Sequence, residues 1–278
     1  MIIFSDLDGT FLDSETYDYQ INLALVGQIR DQQIPLVFCT SKCHDETRYY
    51  LDLLGLQMPF IVENGGALYL PDEWRSRFWL ADPVIRKPGM VKKEYGRDLS
   101  SDFGKLKELA AEFDLKLFTE MDVEELSALT GLSPHVARLA GRRHYDLPFA
   151  LSPDRSEKLP PPLSRELNRM GLALQQGGKY LHITGAFSKA DPVRELLEGD
   201  RHRSISSPSV IGLGDSPNDL EMLKLVDIPI LIPRKDGSPC REITRQIRDL
   251  VISRYPAPRG WADTLEQVLM SAQGGLNV

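Results

Sequence analysis

Three short apolar runs open the chain, each closing on a polar cluster: "IIFSDLDGT" from Ile2, "IPLVFCTSK" from Ile34 and "PFIVENGG" from Pro59. The stretches between them have helical spacing. Leu23, Val26 and Ile29 fall on one face of a helix expected from Tyr19 to Gln32, and charge and Leu alternate at helical period from Asp45 to Leu54. Strands expected over Ile2–Leu7, Ile34–Cys39 and Phe60–Val62, linked by helices, must run parallel. A sheet so connected is covered on both faces, so its strands read as unbroken apolar runs. The pattern predicts an α/β protein built on a Rossmann-like, doubly wound parallel sheet.

The alternation stops and later resumes. "GALYL" after the third run suggests a further strand or hairpin arm. From about Asp82 to Ile183 the segments are longer and more polar, with a proline cluster, "KLPPPL", at Lys158 to Leu163. Helices are expected over Asp102–Phe113 and Ser164–Met170, and one starting at Ser133-Pro134, a capping serine with proline at the first helical position. "LKLF", "PFALS", "LALQQ" and "KYLHIT" suit short strands. After Ala186 come a helix ("SKADPVRELLEG"), a buried strand ("VIGLGD"), a helix ("NDLEMLKLV") and a strand ("IPILIP"). Residues 1–82 and 186–278 are therefore expected to form one core and residues 83–185 an inserted α+β domain, with hinges near Leu80 to Pro83 and near Gly185.

Ligands of open α/β sheets bind beyond the carboxyl ends of the strands. The first run ends in Asp6-Leu7-Asp8-Gly9-Thr10, the second in Thr40-Ser41-Lys42, and a late one in Gly214-Asp215-Ser216-Pro217-Asn218-Asp219. Residues i and i+2 of a strand share a face, so Asp6 and Asp8 repel unless a cation lies between them or one carboxyl is protonated. With Asp215 they suit a hard divalent cation such as Mg²⁺, which favours few carboxylates and substrate phosphate oxygens. An ionised aspartate aimed at a phosphate is a nucleophile, and a second one can move the proton.

Asp-x-Asp-Gly-Thr, a strand-end Thr40, a late lysine and Gly-Asp-x-x-Asn-Asp, in that order, resemble the haloacid dehalogenase superfamily. The insertion resembles the α/β cap (C2B type) of its Cof-type sugar-phosphatase branch. The resemblance implies roles. Asp6 would form an aspartyl-phosphate, and Asp8 would be the general acid/base with its main-chain carbonyl on Mg²⁺. Thr40, Ser41, Lys189 and Asn218 would bind the phosphoryl group, Lys189 offsetting its charge. Asp215 would bind Mg²⁺. Asp219 would orient metal-bound water, with Thr10 also behind the site. "VFCTSK", "IVENGGALYLP", "TGLS", "GGKYLHI" and "GLGDSPNDLEML" are similar to the mannosyl-3-phosphoglycerate phosphatase family, whose members hydrolyse a phosphate ester to mannosylglycerate, a compatible solute. That likeness places Lys42, Asn64, Gly65, Gly66, Lys179 and His182 toward the sugar and glycerate.

Plainer roles compete at several of these positions. Thr40 also suits a helix-capping hydroxyl, Lys179 is an alternative to Lys189, Gly65-Gly66 suits a turn, and His182 suits a satisfied, half-buried side chain. His44, His135, His144 and His202 read as surface. Glucosyl-3-phosphoglycerate phosphatase, sucrose-phosphate phosphatase, a phosphosugar mutase and a sugar-phosphate-binding protein are the rival functions.

Composition narrows the partners. The net charge of −7 over 278 residues opposes a broad nucleic-acid-binding face. No run is long enough to span a bilayer, so no membrane role is expected. The N-terminus lacks the basic, apolar and cleavage pattern of a signal peptide, which makes the cytoplasm the expected location. Three cysteines, Cys39, Cys43 and Cys240, make no disulfide framework. The expected partner is a phosphorylated sugar or glycerate; oligomeric state has no signal in the sequence.

Overall fold

The computed structural model describes residues 1–151, 161–177, 179–200 and 210–274. His202, Ser152 of "PFALS" and the first residues of "KLPPPL" lie outside them.

The core follows the predicted alternation. Strand β1 (Ile2–Ser5) leads through residues 6–22 to helix α1 (Leu23–Asp31), β2 (Leu36–Cys39), α2 (His44–Leu53) and β3 (Phe60–Val62), followed by β4 (Ala67–Pro71), β5 (Ile85–Lys87) and β6 (Met90–Glu94). The insertion carries α3 (Phe103–Glu112), β7 (Leu115–Leu117), α4 (Val123–Thr130), α5 (Pro134–Ala140), β8 (Asp146–Leu151), α6 (Pro161–Arg169), β9 (Ala173–Gln176) and β10 (Leu181–Thr184). The chain returns through α7 (Ala190–Gly199), β11 (Val210–Gly214), α8 (Leu220–Leu223), β12 (Ile228–Leu231), α9 (Arg241–Gln246), β13 (Val251–Ile252) and α10 (Arg259–Gly274).

Among the described residues, nine strands form one sheet in the order β13-β12-β11-β1-β2-β3-β4-β6-β5. The six from β13 to β3 are parallel, and β4, β6 and β5 add antiparallel to one edge. Strand β1 lies between β11 and β2, which brings the three polar strand ends side by side although Asp6 and Asp215 are far apart in sequence. Apolar residues pack on both faces: Phe11, Phe38 and Trp261 on one, Phe4, Val193 and Leu196 on the other. Trp261 anchors α10 beneath the site, its Nε1 donating to Ser5 Oγ at 2.9 Å.

Two expectations need correction. Residues 85–94 do not open the insertion: β6 pairs with β4 along five residues, so the large sheet continues past residue 83. Ala81, in the expected hinge, is held in place, its N–H donating to Glu195 Oε1 at 2.7 Å. The chain crosses into the insertion after β6; Gly96 there approaches the Phe187 ring too closely for a side chain of its own, and Gly185 on the return packs tightly against the same ring. The helix expected over "NDLEMLKLV" is a single turn, because the chain must bring Asp227 back to accept from Val210 N–H at 3.0 Å. The insertion's own sheet, β7-β8-β10-β9, is antiparallel and buries Leu117, Leu147, Phe149 and Ile183 against α3 and α6.

Candidate active site

After Ser5 the chain turns sharply. Gly9 takes φ +77° and lies so close to Asp215 that a Cβ there would stand 2.8 Å from the carboxylate. Thr10, fully buried, directs Oγ1 to Asp215 Oδ1 at 3.4 Å. The turn therefore draws the first and last motifs together.

Lys189 is the electrostatic centre. It precedes α7, where a cation opposes the helix dipole, and its side chain leaves the helix for the carboxyl ends of the strands. Its Nζ donates to Asp6 Oδ1 at 2.6 Å and Asp219 Oδ1 at 2.7 Å. Burial alone would lower its pKa, but Asp219 and Asp6 together hold it above the usual lysine range. Asp219 Oδ2 accepts from the main-chain N–H of Asp215 and Ser216, so this carboxylate is engaged on both sides. Burial pushes Asp6 up to about 7, opposed by Lys189 and reinforced by Asp219. Burial, then Asp219 and Asp6, push Asp215 well above the carboxylate range.

Carboxylate oxygens of Asp6, Asp215 and Asp219 lie within 4.8 Å of one another. An all-oxygen donor set of crowded carboxylates with unfavourable ionisation is what a hard divalent cation relieves, so the residues fit one. The carboxylate of Asp8 stands outside this cluster, toward Lys42, whose Nζ is 3.0 Å away. That contact is an ion pair without hydrogen-bond geometry, and Asp8 Oδ1 is left without a hydrogen-bond partner. Asp6 and Asp8 thus have separate surroundings although two residues apart.

A cavity of about 610 Å³ opens over these groups. The core lines it with Asp6, Asp8, Ser41, Lys42, Asp215 and Asn218; the insertion contributes Arg143, Lys179, Tyr180 and His182. Lys42 is buried between Asp8 and Glu46. Burial would lower its pKa, yet these carboxylates hold it well above the lysine range. Thr40 lies behind the wall, its Oγ1 accepting from Lys42 N–H at 3.0 Å. Asn64, Gly65 and Gly66 also lie behind it. A Cβ at Gly65 would stand 2.1 Å from the Ser188 carbonyl oxygen, and one at Gly66 2.4 Å from Tyr145 Cβ, so these glycines allow close packing against the elements that carry Lys189 and Tyr145.

Sequence reasoning passed over Arg143, Asp146 and Glu63. Arg143 donates to the carbonyls of Ser41 and Asp146, tying the insertion to the core. Glu63 Oε2 accepts from three successive main-chain N–H groups, of His144, Tyr145 and Asp146, at 2.7–3.0 Å. A signal existed: a carboxylate inside or beside an apolar run, as in "FIVEN" and "YDLPFAL", needs a buried partner. Of the other histidines, His135 and His144 are exposed as expected, whereas His44 is partly covered, 4.5 Å from the Tyr69 ring.

A doubly wound sheet whose first strand is followed by the Asp6–Asp8 pair, facing a buried lysine and a second acidic loop, is the arrangement of a class of hydrolase. The family model described as haloacid dehalogenase-like hydrolase matches residues 3–76, and the chain belongs to that family; it is a phosphoric monoester hydrolase. It is 38% identical over 239 residues, 85% of this chain and 86% of the other, to the Glucosyl-3-phosphoglycerate/mannosyl-3-phosphoglycerate phosphatase of Methanococcoides burtonii. It is 31% identical, over 99% of both chains, to the protein of the same name from Persephonella marina. A haloacid dehalogenase-like hydrolase from Bacteroides thetaiotaomicron has the same fold, with a TM-score of 0.68 at 17% identity over 96% of this chain and 98% of that one. No helix among the described residues is long and apolar enough to cross a membrane.

Proposed function

We propose that this hydrolase is a Mg²⁺-dependent phosphatase of glycosyl-3-phosphoglycerates, acting on mannosyl-3-phosphoglycerate and on its glucosyl counterpart. The observation that carries the reading is that one cavity joins Asp6, Asp8 and Asp215 of the core to Lys179 and His182 of the insertion. Support for the substrate comes from the two relatives whose names carry both sugars. Mannose and glucose differ in one hydroxyl orientation, which an apolar or loosely packed wall discriminates weakly.

In the reaction, an Asp6 oxygen attacks phosphorus while the ester P–O bond breaks, and the departing oxygen takes a proton from Asp8. Asp8 then removes a proton from water as its oxygen attacks the aspartyl-phosphate. Phosphate leaves and the Asp6 carboxylate is restored. Lys189 holds Asp6 ionised and in line and offsets charge on the transferring group. Asp6, Asp215 and the main-chain carbonyl of Asp8 would hold Mg²⁺, which supplies charge neutralisation at the phosphoryl oxygens. Ser41 and Asn218 would bound the phosphoryl pocket, with Thr40 behind them holding the Ser41–Lys42 turn, and Lys42, Lys179 and His182 would face the organic half.

The test is phosphate release from mannosyl- and glucosyl-3-phosphoglycerate, with Mg²⁺ or with EDTA, by the wild type and by Asp6→Asn. Turnover that needs Mg²⁺ and vanishes in the variant is expected. Equal turnover by both proteins removes Asp6 as nucleophile. Turnover of sucrose phosphate or a hexose phosphate alone moves the substrate, an isomerised sugar phosphate in place of free phosphate makes the enzyme a mutase, and tight binding without turnover makes the chain a binding protein.

A further inference from the structure

The insertion's side of the cavity contains a buried Asp146–His182 pair to which the phosphoryl-transfer steps assign no role. Asp146, fully buried at the start of β8, sets its two carboxylate oxygens 2.8 and 2.9 Å from His182 Nδ1 on the adjacent strand. The same carboxylate accepts from Asn64 Nδ2 at 2.6 Å. Asn64 Oδ1 accepts from Asn218 Nδ2 at 2.9 Å, and Asn218 Oδ1 accepts from Ser216 Oγ at 2.5 Å. The path runs from the insertion to the loop that holds Asp215.

The direction of each bond follows from its donors. Burial would raise the Asp146 pKa, but His182, Arg143 and Asn64 hold it below the usual carboxylate range. An ionised carboxylate only accepts, so His182 must donate from Nδ1. That leaves Nε2 as the ring nitrogen free to act elsewhere. It packs against Gly177, where a Cβ would stand 2.5 Å from it. Gly177 and His182 both line the cavity, and no described residue hydrogen-bonds to Nε2.

We propose that Asp146 is a positioning residue for substrate recognition, fixing His182 so that Nε2 meets a hydroxyl or carboxylate of the substrate's organic half. Through Asn64 and Asn218 the same residue ties that recognition to the catalytic floor. The inference rests on the reading of the cavity as a site for a phosphorylated sugar or glycerate.

The test compares wild type, Asp146→Asn, His182→Asn and the double variant on glycosyl-3-phosphoglycerates and on p-nitrophenyl phosphate, which offers Nε2 no hydroxyl or carboxylate. Asparagine at position 182 keeps a donor toward Asp146 but lacks Nε2, so it decides the matter even where Asp146→Asn does not fold. The ratio of kcat/KM for the glycosyl substrate to that for p-nitrophenyl phosphate is expected to fall about ten-fold in each single variant, mainly through KM. The ratio in the double variant should be no lower than in His182→Asn alone. Proportional losses on both substrates, or losses that multiply in the double variant, overturn the proposal. Wild-type turnover of the glycosyl substrates tests the underlying reading separately; with a hexose phosphate as the better substrate, the same ratio is measured with that ester.

Discussion

Replacing Lys189 with methionine isolates the buried cation at nearly constant volume. The side chain is fully buried and makes charge-assisted hydrogen bonds to Asp6 and Asp219, themselves almost wholly withdrawn from solvent. Methionine leaves no large void, so the loss is electrostatic: two carboxylates face each other with no cation between them. Removing one partner of a buried ion pair costs about 3–5 kcal/mol, a large share of the roughly 5–15 kcal/mol that stabilises a domain. Urea unfolding of the metal-free protein at pH 8 should show that loss as a lower midpoint with an unchanged slope. Adding Asp219→Asn to Lys189→Met removes one of the facing charges and should recover roughly 1–3 kcal/mol. Activity should not return with it, since the cation proposed to offset phosphoryl charge is still missing; kcat is expected to fall about 10²- to 10³-fold in both variants.

The pH dependence of that loss has a definite sign. Asp6 is pushed up to about 7 in the folded protein, above its unfolded value, so its ionisation destabilises the fold increasingly as pH rises toward that value. Lys189 offsets this in the wild type, and its loss raises Asp6 further. The stability deficit of Lys189→Met is therefore largest at pH 8 and shrinks at pH 5.5, where Asp6 is protonated in both proteins. A variant as stable as the wild type at pH 8, or a deficit that grows on acidification, would refute the argument.

Other perturbations probe the elements that bring the site together. Gly65→Ala combines φ +102° with a Cβ 2.1 Å from the Ser188 carbonyl oxygen, so urea unfolding should show a loss of at least about 2 kcal/mol, and displacement of Ser188-Lys189 should lower kcat. Glu63→Ala leaves three buried N–H groups of residues 144–146 without their acceptor; the expected cost is about 3 kcal/mol or more, with faster limited proteolysis inside the insertion. Asp146 has a folded pKa below its unfolded one, so its contribution is present above about pH 4 and is lost as pH falls through the folded value. The stability gap between wild type and Asp146→Asn, followed by urea unfolding, should accordingly narrow on acidification from pH 7; a constant gap would show that the charge is not what matters.

The parts of the fold that were legible are those whose physics is local. Strands β1, β2, β3 and β11 are buried throughout, and such strands must be written as apolar runs. β5 and β13 are exposed edge strands, held by main-chain pairing that any sequence can supply, and neither left a mark. The hairpin of β5 and β6 was consequently assigned to the insertion. Asp6, Asp8 and Asp215 stood out for a different reason, because each places a charge at the end of an apolar run, whereas Lys189 came in through the family resemblance.

Asp146 obeys the same rule as Asp6, yet its position gave no direction. The cost of burying Asp6 is met by Lys189 183 positions later, and an ordered series of strand ends points there. The cost of burying Asp146 is met by Asn64 and His182, 82 and 36 positions away, and nothing in the spacing of an antiparallel insertion names them. Register supplies what spacing lacks. Thr184 lies opposite Asp146, so His182, two residues earlier, shares its face of the sheet and comes within reach along the diagonal. A single slip of β10 against β8 would turn His182 to the opposite face and leave a buried carboxylate unpaired. The Asp146–His182 contact therefore fixes the register of the insertion as well as the orientation of the imidazole, and a recognition group placed there can move only at the expense of the strand pairing that presents it.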